Sequence, residues 1–178
     1  NEAYSIAKIA GIKLCEAYRK QHKVDFISVN PCNLYGPGDK VHPLKGHVMS
    51  CLIYKFWKAK RENLSTVECF GDGSPKREFL YVDDLADASV YLMNKDTSET
   101  DTLINIGTGT EINIKEIAQL ISDVVEYEGE IHWDTSKPNG ALRRILDVSK
   151  VNALGWEAKT SLIEGIKKVI CDLDERYG

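Results

Sequence analysis

Residues 24–38 read VDFISVNPCNLYGPG. The first part, residues 24–29, is short and rich in β-branched and aromatic side chains, which predicts a β-strand. The second part, residues 30–38, holds two prolines and two glycines and predicts a loop. In α/β folds, ligands bind where loops leave the carboxyl ends of strands. We therefore expect this stretch to contribute to a binding site.

Helical and strand patterns alternate on both sides of this stretch, which predicts an α/β fold. The helix before it has apolar side chains recurring at helical spacing. The later strands are short apolar runs bounded by turn residues. The predicted helices cover residues 4–19, 48–60, 85–93, 113–126 and the segment from 161 onward, and the predicted later strands cover residues 66–70, 103–106 and 130–133.

Several polar side chains are placed to cap these helices. Asp83 stands where the N-cap of the third helix is expected. Asn113 with Glu116, and Ser161 with Glu164, have the three-residue spacing of a capping box, in which each side chain bonds the other residue's backbone N–H.

The composition of the 178-residue chain is ordinary for a globular protein of about one domain. Its formal net charge is −4, and without a basic excess we expect no nucleic-acid partner. No apolar run nears the roughly 20 residues that a transmembrane helix needs, so we expect no membrane span. The opening residues, NEAY, resemble neither a signal peptide nor a start methionine, so we expect the chain to continue a longer protein.

The cysteines and histidines point away from disulfides and metals. The five cysteines are dispersed without a CxxC pair, which is typical of a reducing, cytoplasmic compartment. The four histidines show neither HExxH nor zinc-finger spacing, so we expect no metal site.

Residues 4–8 read YSIAK, a YxxxK pattern within the first predicted helix. The spacing places Tyr4 and Lys8 on one face of the helix. The ammonium favours the phenolate, which a tyrosine that gives a proton to a carbonyl needs. Taken alone the pattern is weak, because tyrosine and lysine are also common on ordinary surface helices.

Residues 77–86, REFLYVDDLA, add a more specific signal. They resemble the R-[DE]-F-x-[HY]-V-x-D-x-A segment of the extended short-chain dehydrogenases/reductases that act on nucleoside-diphosphate sugars, the NAD-dependent epimerase/dehydratase family. YxxxK and NPCNLYGPG precede it in the family's order. The resemblance implies the C-terminal portion of a Rossmann-type fold. Residues 1–36 would end the dinucleotide-binding domain, and residues 37–178 would form mainly the substrate domain, with some segments returning to the Rossmann sheet.

Within that family the chain is most similar to the GDP-L-fucose synthases, over nearly its whole length. The matching segments include NPCNLYGPGD, GHV, FGDGSPKREFLYVDDLADA, INIGTG, VVEYEGEI and SKPNGALRRILDVS. This resemblance implies an NADPH-dependent 3,5-epimerase/4-reductase that converts GDP-4-keto-6-deoxy-D-mannose to GDP-L-fucose. It also implies a homodimer of the intact enzyme.

The resemblance assigns roles to individual residues. Tyr4 would donate the proton in the reduction with Lys8 as its partner, and His47 would transfer a proton in the epimerisation, for which the ordinary pKa of histidine is suited. The implied cofactor contacts are Lys8, Pro31, Cys32, Asn33, Leu34 and His47, and the implied sugar-nucleotide contacts are Lys55, Phe70, Arg77 and Asn139.

The chain departs from the family pattern at three of these positions. The pattern has arginine at Lys55, tryptophan at Phe70 and aspartate at Asn139. Lysine gives up the two-pronged hydrogen bonding of arginine, and asparagine loses a charge but keeps hydrogen-bonding capacity. These departures concern the identity of the sugar more than the chemistry.

No GxGxxG or GxxGxxG turn occurs in the chain. The Rossmann fold needs that turn to bring its backbone to the pyrophosphate. The resemblance implies that most NADPH contacts, an active-site serine and the cysteine partner of His47 precede residue 1, so we expect no turnover by this chain alone. Two alternatives stay open: an epimerase or dehydratase of UDP- or dTDP-sugars, and a non-catalytic sugar-nucleotide-binding module.

Overall fold

The computed structural model describes residues 2–41, 46–98 and 102–178, so that His42 lies outside the described residues. Helices and mostly parallel strand pairs alternate along the chain, as the α/β prediction requires. The helices are α1 (Glu2–His22), α2 (Val48–Arg61), α3 (Val82–Met93), α4 (Ile114–Val125), α5 (Ser149–Ala153) and α6 (Leu162–Tyr177). The strands are β1 (Ser28–Pro31), β2 (Asn33–Tyr35), β3 (Thr66–Phe70), β4 (Lys76–Arg77), β5 (Phe79–Tyr81), β6 (Leu103–Ile106), β7 (Ile112–Asn113), β8 (Glu130–Asp134) and β9 (Arg143–Arg144).

The strands pair in small ladders. Parallel pairs join β1 to β6, β2 to β5 and β3 to β8. A three-stranded sheet has β4 at its centre, antiparallel to β7 and parallel to β9. Each parallel pair joins segments far apart in sequence, as crossover connections require.

The buried strand β5 lies between two hydrophobic cores. Phe79 and Tyr81 belong to a core formed with α2, α4 and α6, whereas Leu80 belongs to a second core with α3, β6 and Trp156. Successive side chains of a strand point to opposite faces, so one short strand supplies both cores. All three residues are buried.

The helix α1 packs differently from the others, because none of its residues is buried. Its C-terminal end is held by Arg19, whose guanidinium donates to the Thr97 carbonyl and lies 3.5 Å from a carboxylate oxygen of Asp25. Within the described residues, no helix is both long and apolar enough to cross a membrane.

The predicted strand over residues 24–29 and the predicted loop over residues 30–38 are wrong in their bounds. The strand begins only at Ser28, and Pro31 ends it. The Ser28 and Cys32 N–H groups donate to the carbonyls of Thr102 and Ile106 beside them. Backbone nitrogens alternate between the two sides of a strand, so the nitrogen of Pro31 lies on the side away from β6. A proline at this position therefore removes no hydrogen bond to β6.

The capping predictions have three different outcomes. The Asn113 capping box is confirmed, with both reciprocal bonds present. The Asp83 prediction is wrong, because β5 runs directly into α3, Tyr81 is the N-cap, and Asp83 lies in the first turn, where a carboxylate favours the helix dipole. Ser161 accepts the Glu164 N–H, but the Glu164 carboxylate lies 2.9 Å from Lys168 Nζ, so only half of that predicted capping box forms.

A fully buried carboxylate, Glu78, lies between β4 and β5. One of its oxygens accepts the Gly109 N–H at 2.8 Å and the other accepts the Leu146 N–H at 2.9 Å. Its backbone carbonyl accepts the Asn33 side-chain amide at 2.8 Å. Glu78 therefore ties together β2, the loop after β6 and the segment after β9.

We expect Glu78→Gln to lower the free energy of unfolding by about 2 kcal/mol, since one backbone donor would then face a side-chain NH₂ in place of an acceptor. Urea unfolding of the purified chain, followed by circular dichroism, measures this loss. Glu157→Gln, at an exposed position, is the control and should stay within about 0.5 kcal/mol of the parent. Equal unfolding midpoints for the two variants would contradict this role.

Candidate functional site

A cleft of about 1170 Å³ lies between α1, β1, β2 and the start of α2. It has the size of a site for a large ligand. The structure brings to it every residue that the sequence predicted as catalytic or cofactor-binding. These are Tyr4, Lys8, Pro31, Cys32, Asn33, Leu34 and His47.

Tyr4 and Lys8 both line this cleft. The Lys8 ammonium lies 5.4 Å from the centroid of the Tyr4 ring. The Tyr4 side chain is 67% exposed, so its hydroxyl is open to a ligand. The helical spacing predicted from the sequence therefore places an ammonium beside an accessible phenol.

His47 is the residue immediately before α2, and its side chain makes no capping bond. Its ring is 81% exposed, and Nδ1 lies 3.5 Å from a carboxylate oxygen of Asp39. Asp39 lines the same cleft. The sequence analysis did not single out Asp39, since eight positions separate the two residues and neither lies in a regular periodic element.

Cys32 and Asn33 form part of the cleft wall and are half-buried. Burial, together with the nearby carboxylate of Glu78, raises the pKa of the Cys32 thiol to about 12. A thiol with so high a pKa stays neutral and is a poor base or nucleophile. Cys32 therefore contributes shape to the cleft.

The predicted sugar-nucleotide residues lie outside this cleft lining and form a second group. Lys55 of α2 lies with its ammonium 4.5 Å from the centroid of the Phe70 ring and donates to the Glu68 carbonyl at 2.8 Å. Phe70 is 40% exposed at the end of β3. The pair places a cation over a partly exposed aromatic ring, and both groups are of kinds that bind nucleotides.

Asn139 and Arg77 extend this second group. The Asn139 side-chain oxygen accepts the Asp72 N–H at 2.9 Å in the turn that follows Phe70. Gly71 has a φ of +76°, a left-handed backbone conformation that favours glycine, and this allows the turn to approach the Asn139 oxygen.

Arg77 lies beside the loop that carries Asn139. A Cβ atom placed on Gly140, the next residue of that loop, would be 3.7 Å from the Arg77 guanidinium. Burial lowers the pKa of the Arg77 guanidinium, and the positive charge of Arg144 lowers it further. Two cations this close, one of them partly desolvated, favour binding of an anion.

Arg144 is a site residue that the sequence analysis did not single out. It lines the large cleft and also an adjoining cleft of about 600 Å³ that includes Cys32, Asn33 and Glu78. Its neighbour Arg143 is held at 2.6 Å by Glu111. In the sequence, the adjacent arginines at 143 and 144 were the available sign of a positively charged site. Only the pairing of β9 with β4 shows that Arg144 lies opposite Arg77.

Among the described residues, no group of three or more histidine, cysteine, aspartate or glutamate side chains is arranged to hold a metal ion.

Comparison with known proteins relates this chain to a family. The sequence profile of the NAD dependent epimerase/dehydratase family matches residues 1–107. The chain belongs to this family. As an epimerase/dehydratase family member it is similar to the probable GDP-L-fucose synthase 1 of Oryza sativa subsp. japonica, at 49% identity over 93% of this chain and 50% of that protein. It is 46% identical to the GDP-L-fucose synthase of Escherichia coli (strain K12), over 93% of this chain and 54% of the relative.

A solved structure supports the same relationship. The GDP-L-fucose synthetase of Naegleria fowleri bound to NADP superposes with a TM-score of 0.89 at 29% identity, over 99% of this chain and 57% of that one. The chain spans about half the length of the curated relatives it matches.

The high pKa of the Cys32 thiol leads to a prediction about alkylation. At pH 7.5 we expect iodoacetamide to modify the exposed Cys171 much faster than Cys32, because only thiolates react. Peptide mass spectrometry over a time course measures both rates. Unfolding in urea should bring the two rates together, and a folded-state rate at Cys32 equal to that at Cys171 would contradict the prediction.

Proposed function

We propose that this chain is the sugar-nucleotide-binding part of an NADPH-dependent enzyme that converts GDP-4-keto-6-deoxy-D-mannose to GDP-L-fucose. The observation that carries the proposal is the convergence of Tyr4, Lys8 and His47 on one cleft. The similarity of the chain to GDP-L-fucose synthases supports the choice of reaction.

In the reduction, Tyr4 would give a proton to the ketone oxygen at C4 of the sugar. The Lys8 ammonium, 5.4 Å from the Tyr4 ring, stabilises the phenolate that remains. NADPH, when bound, supplies the hydride to C4. The cleft fits such a cofactor in size and offers Lys8 as a donor for a ribose, with the segment from Pro31 to Leu34 as a wall.

In the epimerisation, His47 would transfer protons at the carbons beside the ketone, which acidifies their C–H bonds. The exposed ring can reach a sugar in the cleft. The proposal gives Cys32 no proton-transfer role, because its pKa of about 12 keeps the thiol neutral.

The GDP moiety would bind at the second group of residues. Lys55 and Arg77 provide positive charge for the diphosphate, and Phe70 provides a ring face for the base. Asn139 holds the turn after Phe70 by its bond to the Asp72 N–H, and so shapes this site.

We also propose the division into a dinucleotide-binding part, residues 1–36, and a mainly substrate-binding part, residues 37–178. The pairing of β1 with β6 supports the return of a later segment to the first sheet. Exposed apolar side chains on α1, among them Ile6, Ile9 and Leu14, support a homodimer of the intact enzyme. The dispersed cysteines, without a CxxC pair, support a reducing, cytoplasmic location.

The GDP proposal is tested by thermal-shift titration of the chain with GDP and UDP. We expect GDP to raise the melting temperature more than UDP does, because binding to the folded state alone stabilises it. Arg77→Gln and Lys55→Gln should each raise the dissociation constant for GDP roughly tenfold, which corresponds to the free energy of one charge-assisted hydrogen bond.

Lys58→Gln is the matched control for Lys55→Gln, since Lys58 is an exposed lysine of the same helix that pairs with Glu62. It should leave the GDP titration unchanged. Equal responses to GDP and UDP would argue for a different sugar nucleotide, and no response to either would contradict the proposed site.

Turnover by the chain alone provides a separate test. We expect no oxidation of NADPH in the presence of GDP-4-keto-6-deoxy-D-mannose, because the sequence has no glycine-rich turn for the pyrophosphate. Absorbance at the NADPH band and chromatography of the GDP-sugars measure it. Formation of GDP-L-fucose by the 178-residue chain would refute this expectation.

A further inference from the structure

A carboxylate, Asp39, faces His47 in the large cleft. Its Oδ2 lies 3.5 Å from Nδ1 of the His47 ring. This separation is about half an ångström longer than an N–H···O hydrogen bond. Contacts between catalytic groups are often long without substrate and shorten when it binds.

Asp39 is fixed by groups other than His47. Its Oδ2 accepts the hydroxyl of Ser50, which is buried in the first turn of α2, and its Oδ1 accepts the Lys40 N–H at 2.7 Å. The Asp39 side chain is 22% exposed, against 81% for His47. The carboxylate is thus held in place, while the imidazole is free to meet a ligand.

The backbone that carries Asp39 is also anchored. The preceding residue, Gly38, donates its N–H at 3.2 Å to Asp172 of α6. Asp172 is itself paired with Arg176 one turn further along that helix. Two helices, α2 and α6, therefore determine where the Asp39 carboxylate lies.

We propose that Asp39 is a positioning residue for His47. It holds the neutral ring in the tautomer with hydrogen on Nδ1, so that Nε2 is left unprotonated as the atom that exchanges a proton with substrate. The nitrogen that faces a carboxylate keeps its hydrogen, and the opposite nitrogen becomes the acceptor. The catalytic part of this proposal rests on the proposed function, because it takes His47 to be the proton-transferring group.

The tautomer is measured directly in this chain, without substrate. Two-bond ¹H–¹⁵N correlation spectra of the ¹⁵N-labelled protein, recorded at a pH where the rings are neutral, distinguish the two tautomers of each histidine. Loss of one signal set in His47→Gln assigns His47. We expect the wild-type His47 signals to have the Nδ1–H pattern.

The decisive variant is Asp39→Asn. The Lys40 N–H requires an acceptor at the Oδ1 position, so the new NH₂ would stand where Oδ2 stood and face His47. Ser50 can still bond this group, because a hydroxyl also accepts hydrogen bonds. A donor beside Nδ1 should convert His47 to the Nε2–H tautomer. An imidazole released into water also prefers that tautomer, so the variant must be shown to keep its fold.

Two controls separate positioning from a structural effect. Asp72→Asn, at an exposed aspartate whose side chain bonds Ser74, should leave the His47 pattern unchanged. The signals of His22 and His132 report whether the Asp39→Asn variant keeps its fold. Asp39→Glu restores a carboxylate and should return His47 towards the Nδ1–H pattern.

The proposal is overturned if wild-type His47 is mainly Nε2–H or an even mixture. It is also overturned if Asp39→Asn keeps the Nδ1–H pattern, since another group would then set the tautomer. The GDP titration tests the proposed function separately. If GDP does not bind but His47 shows the expected tautomers, the proposed function is wrong and the role of Asp39 stands. If GDP binds but the tautomers are not as expected, only the role of Asp39 is wrong.

Discussion

The structure depends on one buried carboxylate, that of Glu78. A buried charge is costly unless hydrogen bonds compensate it. Glu78 meets this requirement by accepting the backbone N–H groups of Gly109 and Leu146, two positions in separate segments of the chain. Because these donors must reach a single side chain, the loop after β6 and the segment after β9 are brought to the same place.

The placement of the site follows from this convergence. The segment after β9 directly follows Arg144, and together they line the smaller cleft with Asn33 and Cys32. Strand β5, which directly follows Glu78, supplies side chains to both cores and leads into α3. Residues 77–86 thus connect the two cores with Arg77, one of the anion-binding side chains, and with the cleft that holds Tyr4 and His47.

The elements that the sequence predicted well are those governed by local interactions. The Asn113 capping box depends on neighbours within a few positions, and the structure has it. The predictions that were wrong involve competition from more distant parts of the chain. Pro31 lies in a strand because β6 pairs beside it. Helix α3 begins at Val82 because β5 ends at Tyr81, so Tyr81 and not Asp83 is the N-cap.

The sequence by itself determined the α/β class, the YxxxK face, the apolar runs of the cores and the motifs that indicate the family. Periodicity and short-range hydrogen bonding are written in adjacent residues, so they can be read without a structure. Only the tertiary structure decided that Lys55 lies over Phe70, that Arg144 stands opposite Arg77 and that Asp39 faces His47. These contacts depend on how helices and strands cross after they pack, and that geometry is set by the cores as a whole rather than by any local pattern.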